Sequence, residues 1–232
     1  MINFKRRHFK QDIMMMSMRW YLSYALSYRH VEELLLERGV SIDHSTVQRW
    51  VVRYSAELEH EFRRRYKKRR PYVSWRLDET YVKIKGKWHY LYRAVDKDGD
   101  TLDFMLSENR DEVAAFKFLK KVIGSSGLPD KINVDKSGSN EAAIIRLNLM
   151  LFSLSLWPTV WVECRQVKYL NNMVEQDHRF IKWRTKPMLG FKSFDSAEAT
   201  LAGYELINML RKGQHIGAEY MTKFEQFYSL AA

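Results

Sequence analysis

The stretch Tyr72 to Asp96, YVSWRLDETYVKIKGKWHYLYRAVD, restricts the fold more than any other part of the chain. Two runs rich in Val, Ile, Tyr and Trp flank the basic turn Lys85-Gly86-Lys87, the pattern of a β-hairpin with two long strands. A wholly helical protein is thereby excluded. Asp78 lies inside the first run. A charge on a mostly apolar strand costs on the order of several kcal/mol unless it is paired or binds a metal. Asp78 is therefore either neutralised, as an ion-paired or turn-edge residue, or functional.

With 232 residues, 46% of them hydrophobic and 14% aromatic, the chain has material for one large or two modest domains with a real core. Cys164 is the single cysteine, so there is no internal disulfide and no CxxC pair, in keeping with a reducing cytoplasm. The residue reads as a small buried hydrophobe. Ile13 to Met18 is too short, and too soon followed by Arg19, for a signal peptide or a membrane span.

The net charge is +11, and it is unevenly spread. Residues 1–71 hold 16 Lys and Arg against 8 Asp and Glu, whereas residues 72–232 hold 23 against 20. A small basic module joined to a nearly balanced one predicts that the first part meets a polyanion. No segment pairs a basic face with a wide apolar one, so nucleic acid is favoured over a membrane surface.

Along the chain, Phe9, Ile13, Met16, Trp20 and Tyr24 recur at steps of three and four and predict an amphipathic helix over 9–25. Ser27 is the expected N-cap of a second helix with Val31, Leu34 and Leu35 on one face and Gly39 at its end. Asp43 or Ser45 can cap a third, whose buried stripe is Val47, Trp50, Val51, Tyr54 and Leu58. Two helices joined by a glycine-containing turn and braced by a preceding helix form a helix-turn-helix. The competing reading is a three-helix packing or dimerisation unit. If the third helix reads DNA, its outward side chains are His44, Thr46, Gln48, Arg49 and Arg53. Residues 63–70, RRRYKKRR, carry seven basic side chains, with Arg63, Arg64, Lys67 and Lys68 placed to follow a phosphate backbone. The expected domains are thus a helix-turn-helix over 1–62, a basic linker over 63–71 and a second domain over 72–232 that includes the C-terminal helices.

After the hairpin come a strand at Thr101–Leu106, a helix from Asn109 or Asp111 to Gly124, and a short buried strand at Lys131–Asp135. A helix from about Asn140 to Leu149 follows, then an apolar stretch in which Thr159–Val162 can be a strand, then a helix over 170–184. Asp135 is a second carboxylate at a strand end. On the last helix Glu175, His178 or Arg179, and Lys182 share one face. Three antiparallel strands, helix, strand, helix, strand, helix is the ribonuclease H-like order. The predicted class is α/β: a mixed sheet flanked by helices, preceded by an all-α helix-turn-helix domain.

The segments DHSTVQRWV, WRLDETYVKIKGKWHYLYRAVD, NVDKS and RQVKYLNNMVEQDHRFIKWRTKPMLGFKSF together resemble bacterial insertion-sequence DDE transposases of the insertion-sequence-six family, across essentially the whole chain. The resemblance implies an acidic triad at Asp78, Asp135 and Glu175 and a basic catalytic-site residue at Lys182. It also implies two Mg²⁺ ions, with Mn²⁺ able to substitute, Asp78 bridging both and Asp135 and Glu175 each holding one. The implied partners are double-stranded DNA, as terminal inverted repeats and target. The implied assembly is a homodimer or larger synaptic complex, working without a membrane in the cytoplasm at the bacterial nucleoid. Between Asp135 and Glu175 lie 39 residues, longer than is usual for such relatives, with the excess near 149–163.

Other acids read differently. Glu79 follows Asp78 and is expected on the opposite sheet face in a salt bridge. Asp96 belongs to the turn Lys97-Asp98-Gly99-Asp100, and Asp177 is expected at the surface or as a cap partner. Glu57-x-x-His60 and Glu175-x-x-His178 have the spacing of di-iron helical bundles, a class that the strands of 72–106 oppose. The remaining alternative is a catalytically inactive DNA-binding regulator derived from a transposase, which an intact triad argues against.

Overall fold

The computed structural model describes residues 2, 4, 8–67, 74–136, 138–154 and 161–231. They fall into two compact units, one of Met1–Lys68 with Lys186–Ala232, the other of Arg69–Thr185.

The first unit is helical. It holds α1 (Gln11–Ser23), α2 (Tyr28–Leu36) and α3 (His44–Glu61). Ser27 caps α2 in a reciprocal box with His30, and Asp43 rather than Ser45 caps α3, accepting from the Ser45 amide. Gly39, at φ +73°, takes the left-handed conformation that turns the chain between them. Val47, Trp50, Val51, Tyr54 and Leu58 are all buried. In α1 the expected stripe is displaced: the buried side chains are Met14, Met15, Met18, Tyr21 and Leu22, while Tyr24 is exposed. This helix is apolar on most sides, so two rows satisfy the same period and neighbouring helices choose between them.

Those neighbours include α7 (Phe194–Arg211) and α8 (Lys223–Ser229), which the sequence reading attaches to the second domain. Every residue of α7 from Leu201 to Leu210 is buried, because α3 and α1 pack on it. At the closest approach a Cβ on Gly203 would meet Leu22 Cδ2 at 2.6 Å and Ser55 Oγ at 2.8 Å, so only glycine fits unless these side chains shift. The basic run also departs from a linker. Phe62–Tyr66 continue α3 as a π-helical turn with Phe62 buried, and Lys67 bridges to His215. Lys68 and the rest of the expected linker lie outside the described residues.

The second unit is a five-stranded sheet in the order β3-β2-β1-β4-β5. β1 (Ser74–Ile84), β2 (Lys87–Asp96) and β3 (Thr101–Ser107) are antiparallel; β4 (Lys131–Asn133) and β5 (Glu163–Arg165) run parallel to β1. This is the ribonuclease H-like strand order. Lys85 and Gly86 both have positive φ, 48° and 79°, so the hairpin closes on a two-residue turn that matches the twist of its strands. Asp96 accepts from the amides of Asp98 and Asp100 at 2.9 Å, the turn role expected of it.

One sheet face is covered by α4 (Glu112–Ser126, capped by Asp111) and α5 (Gly138–Ser153) over a core of Trp75, Leu77, Tyr92, Phe118, Ile132 and Leu147. On the opposite face α6 (Lys168–Thr185) packs on β1 and β2. The expected strand at 159–162 is instead β5, slightly later. Thr159 and Val160 lie outside the described residues, and the Val162 backbone exchanges two 3.0 Å hydrogen bonds with the buried Asn148 side chain of α5. No helix among the described residues is long and apolar enough to cross a membrane.

Candidate active site

β1 and β4 are adjacent and parallel, so both run toward the same edge of the sheet. Asp78 lies on β1 beyond the last residue paired with β4, and Asp135 lies two residues past the end of β4. Their carboxylates converge with that of Glu79, with one oxygen from each within 4.8 Å of the others. Glu79 starts from the other sheet face, as strand alternation requires, yet one of its carboxylate oxygens belongs to this group. Its longer side chain reaches the shared rim, where Arg110 lies 3.3 Å from both Glu79 and Asp135 and Asn140 donates to Glu79 at 3.0 Å. The expected salt bridge exists, but its cation also serves the cluster. Burial, reinforced by the like charges of Asp78 and Asp135, pushes the Glu79 carboxyl up to about 7 against the pull of Arg110.

From α6, His178 Nε2 lies 3.1 Å from Asp78 Oδ2 and is itself buried. Burial holds its pKa below the usual imidazole value despite the Asp78 contact, which fits a neutral ring donating its Nε2 proton to the carboxylate. Its Nδ1 is buried with no hydrogen-bond partner among the described residues. Beside it Asp177 pairs at 2.9 Å with Arg93, which is wholly buried and sits opposite Asp78 in the β1–β2 register. Asp177 is thus a tie between α6 and the sheet and not a surface residue. Asn171 adds a third tie, to the Leu77 carbonyl at 3.4 Å, and Asn133 binds the backbone of Val167 at the helix entry. These contacts fix the position of α6 along β1.

Glu175 is exposed and lies outside the acidic cluster, but it lines one cavity of ≈ 250 Å³ together with Asp135, Val134, Lys136, Gln166 and Asn171. Lys182 is exposed farther along α6. Structure thus brings Asp78 and Asp135 together, while Glu175 shares with Asp135 only the lining of a cavity. Sequence reasoning missed Arg93, Arg110 and the His178 contact. Arg93 was within reach: with Lys85 and Gly86 as the turn, counting back along the hairpin sets it opposite Asp78. Arg110 lies in a loop and gave no periodic signal.

In the helical unit, Gln48, Arg49 and Arg53 are exposed on α3. His44 pairs with Glu32 at 2.9 Å, and Arg49 donates to Thr46 at 2.8 Å. Three arginines of the basic run share two carboxylates of α3: Arg63 pairs with Glu59, while Arg64 and Arg65 pair with Glu61 at 2.9 and 2.6 Å.

A family model described as a DDE domain, of the IS240 transposase type, matches residues 72–214. The transposase for insertion sequence-like element IS431mec of Staphylococcus aureus is 42% identical over 209 residues, covering 90% of this chain and 88% of that protein. The transposase for insertion sequence element IS257 in transposon Tn4003, also from Staphylococcus aureus, matches at the same identity and coverage. Among solved structures, the catalytic core domain of BIV integrase overlaps 68% of this chain and 94% of that chain at 17% identity and a TM-score of 0.43. The fold assignment rests on strand order and not on that overlap. Identity sustained over nine-tenths of the chain, with the DDE-domain match spanning the acidic cluster and α6, places this protein among the insertion-sequence DDE transposases of the insertion-sequence-six type.

Proposed function

We infer that the chain binds the terminal inverted repeats of its insertion sequence and catalyses metal-dependent nicking and strand transfer at Asp78, Asp135 and Glu175. The observation that carries this reading is the convergence of Asp78 and Asp135 from adjacent parallel strands, with Glu175 lining the same cavity as Asp135.

The donor set fits a hard divalent cation, since it consists of carboxylate oxygens gathered within 4.8 Å of one another. Asp78, Asp135 and Glu175 would hold Mg²⁺, or Mn²⁺ in its place, as two ions. Bound there, such ions neutralise charge on a phosphodiester and activate the attacking oxygen. The chain's own side chains do the rest. His178 holds one oxygen of Asp78 and leaves the other free, and Arg93–Asp177 keeps α6 in register so that Glu175 faces the cavity. Arg110 offsets part of the acidic charge, and Lys182 would contact a DNA phosphate as a point charge.

Gln48, Arg49 and Arg53 on α3 would read base edges and His44 and Thr46 the flank, with Arg63, Arg64, Lys67 and Lys68 near the backbone. Because two element ends must be joined, the working form in this reading is a homodimer or larger synaptic complex at the bacterial nucleoid. Incubating the protein with an element end and Mg²⁺, and resolving nicked and joined DNA on a denaturing gel, tests the proposal. No product with a bona fide end would overturn it in favour of a DNA-binding regulator.

A further inference from the structure

On the face of the hairpin that carries Glu79, the next residues outward are Tyr81 and Lys83 on β1, opposite Tyr90 and Trp88 on β2. At its base this face is roofed: Tyr92, opposite Glu79, is buried against Phe118 of α4 at 5.7 Å. Toward the tip Tyr81 is 51% exposed and Trp88 61%. Cross-strand aromatic pairing stabilises a hairpin, but that role does not require the rings to stand in water. The rings are not stacked on one another: Tyr81 meets Trp88 edge-on at 76° and is tilted at 53° to Tyr90, so neither Tyr81 nor Trp88 is hidden by a parallel partner. Beside them Lys83, on the same face, and Lys85, in the turn, are exposed, and neither pairs with a carboxylate among the described residues, whereas Lys87 pairs with Ile84 and starts from the other face; the Lys83 ammonium lies 5.9 Å above the Trp88 ring. Open aromatic faces among unneutralised lysines are the chemistry that binds single-stranded nucleic acid, where bases stack and cations track phosphates. Bases inside a duplex have both faces covered, so this surface selects unpaired ones.

We propose that Tyr81, Trp88 and Tyr90, with Lys83 and Lys85, form a stacking platform for unpaired DNA bases beside the strand held at the acidic cluster. The inference rests on the transposase reading and extends it to the form of DNA the enzyme handles. At a strand rise of about 3.3 Å per residue, Tyr81 lies about 7 Å and the Trp88 level about 13 Å from Glu79. With bases spaced by about 3.4 Å, the platform meets those roughly two to four nucleotides from the scissile phosphate.

The test uses the full chain without divalent metal and two DNAs of one element-end sequence, fully paired or with a short unpaired arm at the cleavage position. With 2-aminopurine at successive positions of the arm, fluorescence is expected to be quenched at the second to fourth nucleotides and not beyond. The wild-type protein should prefer forked DNA. Combined Tyr81→Ala and Trp88→Ala should lower fork affinity by about 10- to 100-fold and leave duplex affinity within about twofold, while Trp88→Phe retains most of the preference. Replacing Lys83 and Lys85 with Ala should reduce the slope of log affinity on log salt by about 1.4 for the unpaired arm. Absence of quenching in the wild-type protein overturns the platform even if the alanine variant fails to fold. Equal loss on both DNAs also overturns it, and so does a changed oligomeric state in sedimentation, which would make the patch an interface between copies. Cleavage of the paired end in Mg²⁺ is scored separately, so failure of the platform and failure of the transposase reading give different results.

Discussion

Glu61 and Glu79 are both buried, and the protein treats them in opposite ways. At the end of α3, Glu61 receives Arg64 and Arg65, and the Arg64 hydrogen bond holds its carboxyl below the usual range. On β1, Glu79 shares one arginine with Asp135 and lies among other acids, so burial drives it up to about 7. Charge at the helix end is balanced locally and serves packing. Mid-strand on β1 three carboxylates share Arg110, and in the transposase reading a cation completes that site.

The largest effect that could break this contrast is catalytic. Asp78→Ala, Asp135→Ala and Glu175→Ala should each reduce strand transfer by roughly 10⁴-fold or more, with double variants no worse than singles. Binding to the element end should be retained. A variant that joins DNA at the wild-type rate in Mg²⁺ removes its residue from the triad.

Stability should sharpen the contrast, with opposite signs. A glutamate whose folded pKa is raised contributes stability below its ordinary value near 4.5, and that contribution is lost as pH rises through about 7. Glu79→Gln should therefore stabilise the metal-free protein at pH 8, by at most about 3 kcal/mol, and the gain should vanish near pH 4. Glu61 has a lowered folded pKa, so its contribution is present above the ordinary value and lost in acid. Glu61→Gln should destabilise at pH 8 and be nearly neutral in acid. Thermal melts in a chelator read both, and equal signs at pH 8 would erase the distinction.

How far the sequence disclosed these two regions follows from the range of the interactions involved. The hairpin, its turn and the anomaly of Asp78 are local, written in alternation and in Lys85-Gly86, and they led to the right strands. The α3 stripe was equally plain. The α1 stripe was misread because DIMMMSMRWYL offers two apolar rows, and only the packing partners decide which is buried. Helix α7 joins α3 across more than a hundred residues, and no local pattern says which unit a helix buried on all sides belongs to. The Glu79 salt bridge was legible from strand alternation, and its cation is Arg110; alternation fixes only the Cβ, and from mid-strand the longer glutamate side chain still brings a carboxylate oxygen to the rim shared with Asp78 and Asp135.

DNA discrimination gives a smaller effect. Arg49→Ala or Gln48→Ala should lower the preference for the element end over random sequence by about tenfold, since a lost base-edge contact is worth about 1–3 kcal/mol. Because Arg63 and Arg64 are already paired with Glu59 and Glu61, neutralising them should weaken binding to both sequences only slightly. Equal loss on both sequences from the α3 changes would remove α3 as the reading helix.

The smallest effect is expected at Lys182, which tests whether exposed charge on α6 belongs to the site. It follows Glu175 by two helical turns, about 10 Å along the axis, and is exposed. Burial is what chiefly lowers the His178 pKa, and the Lys182 charge adds a small push in the same direction. Of its basic neighbours, Arg184 is buried and its guanidinium lies over the rings of Phe180 and Trp183, so it serves packing, while Arg179 is exposed and is the natural control. A flexible ammonium at this position suits a point-charge contact to phosphate and binds no metal. Lys182→Ala should raise the DNA concentration for half-maximal strand transfer by about three- to tenfold and leave the Mg²⁺ midpoint unchanged. Lys182→Arg should keep most of the activity, and Arg179→Ala should change it less. A defect rescued by more Mg²⁺ but not by more DNA would show that Lys182 acts on the carboxylates, and the excess acidic charge would then be balanced in part from α6 itself.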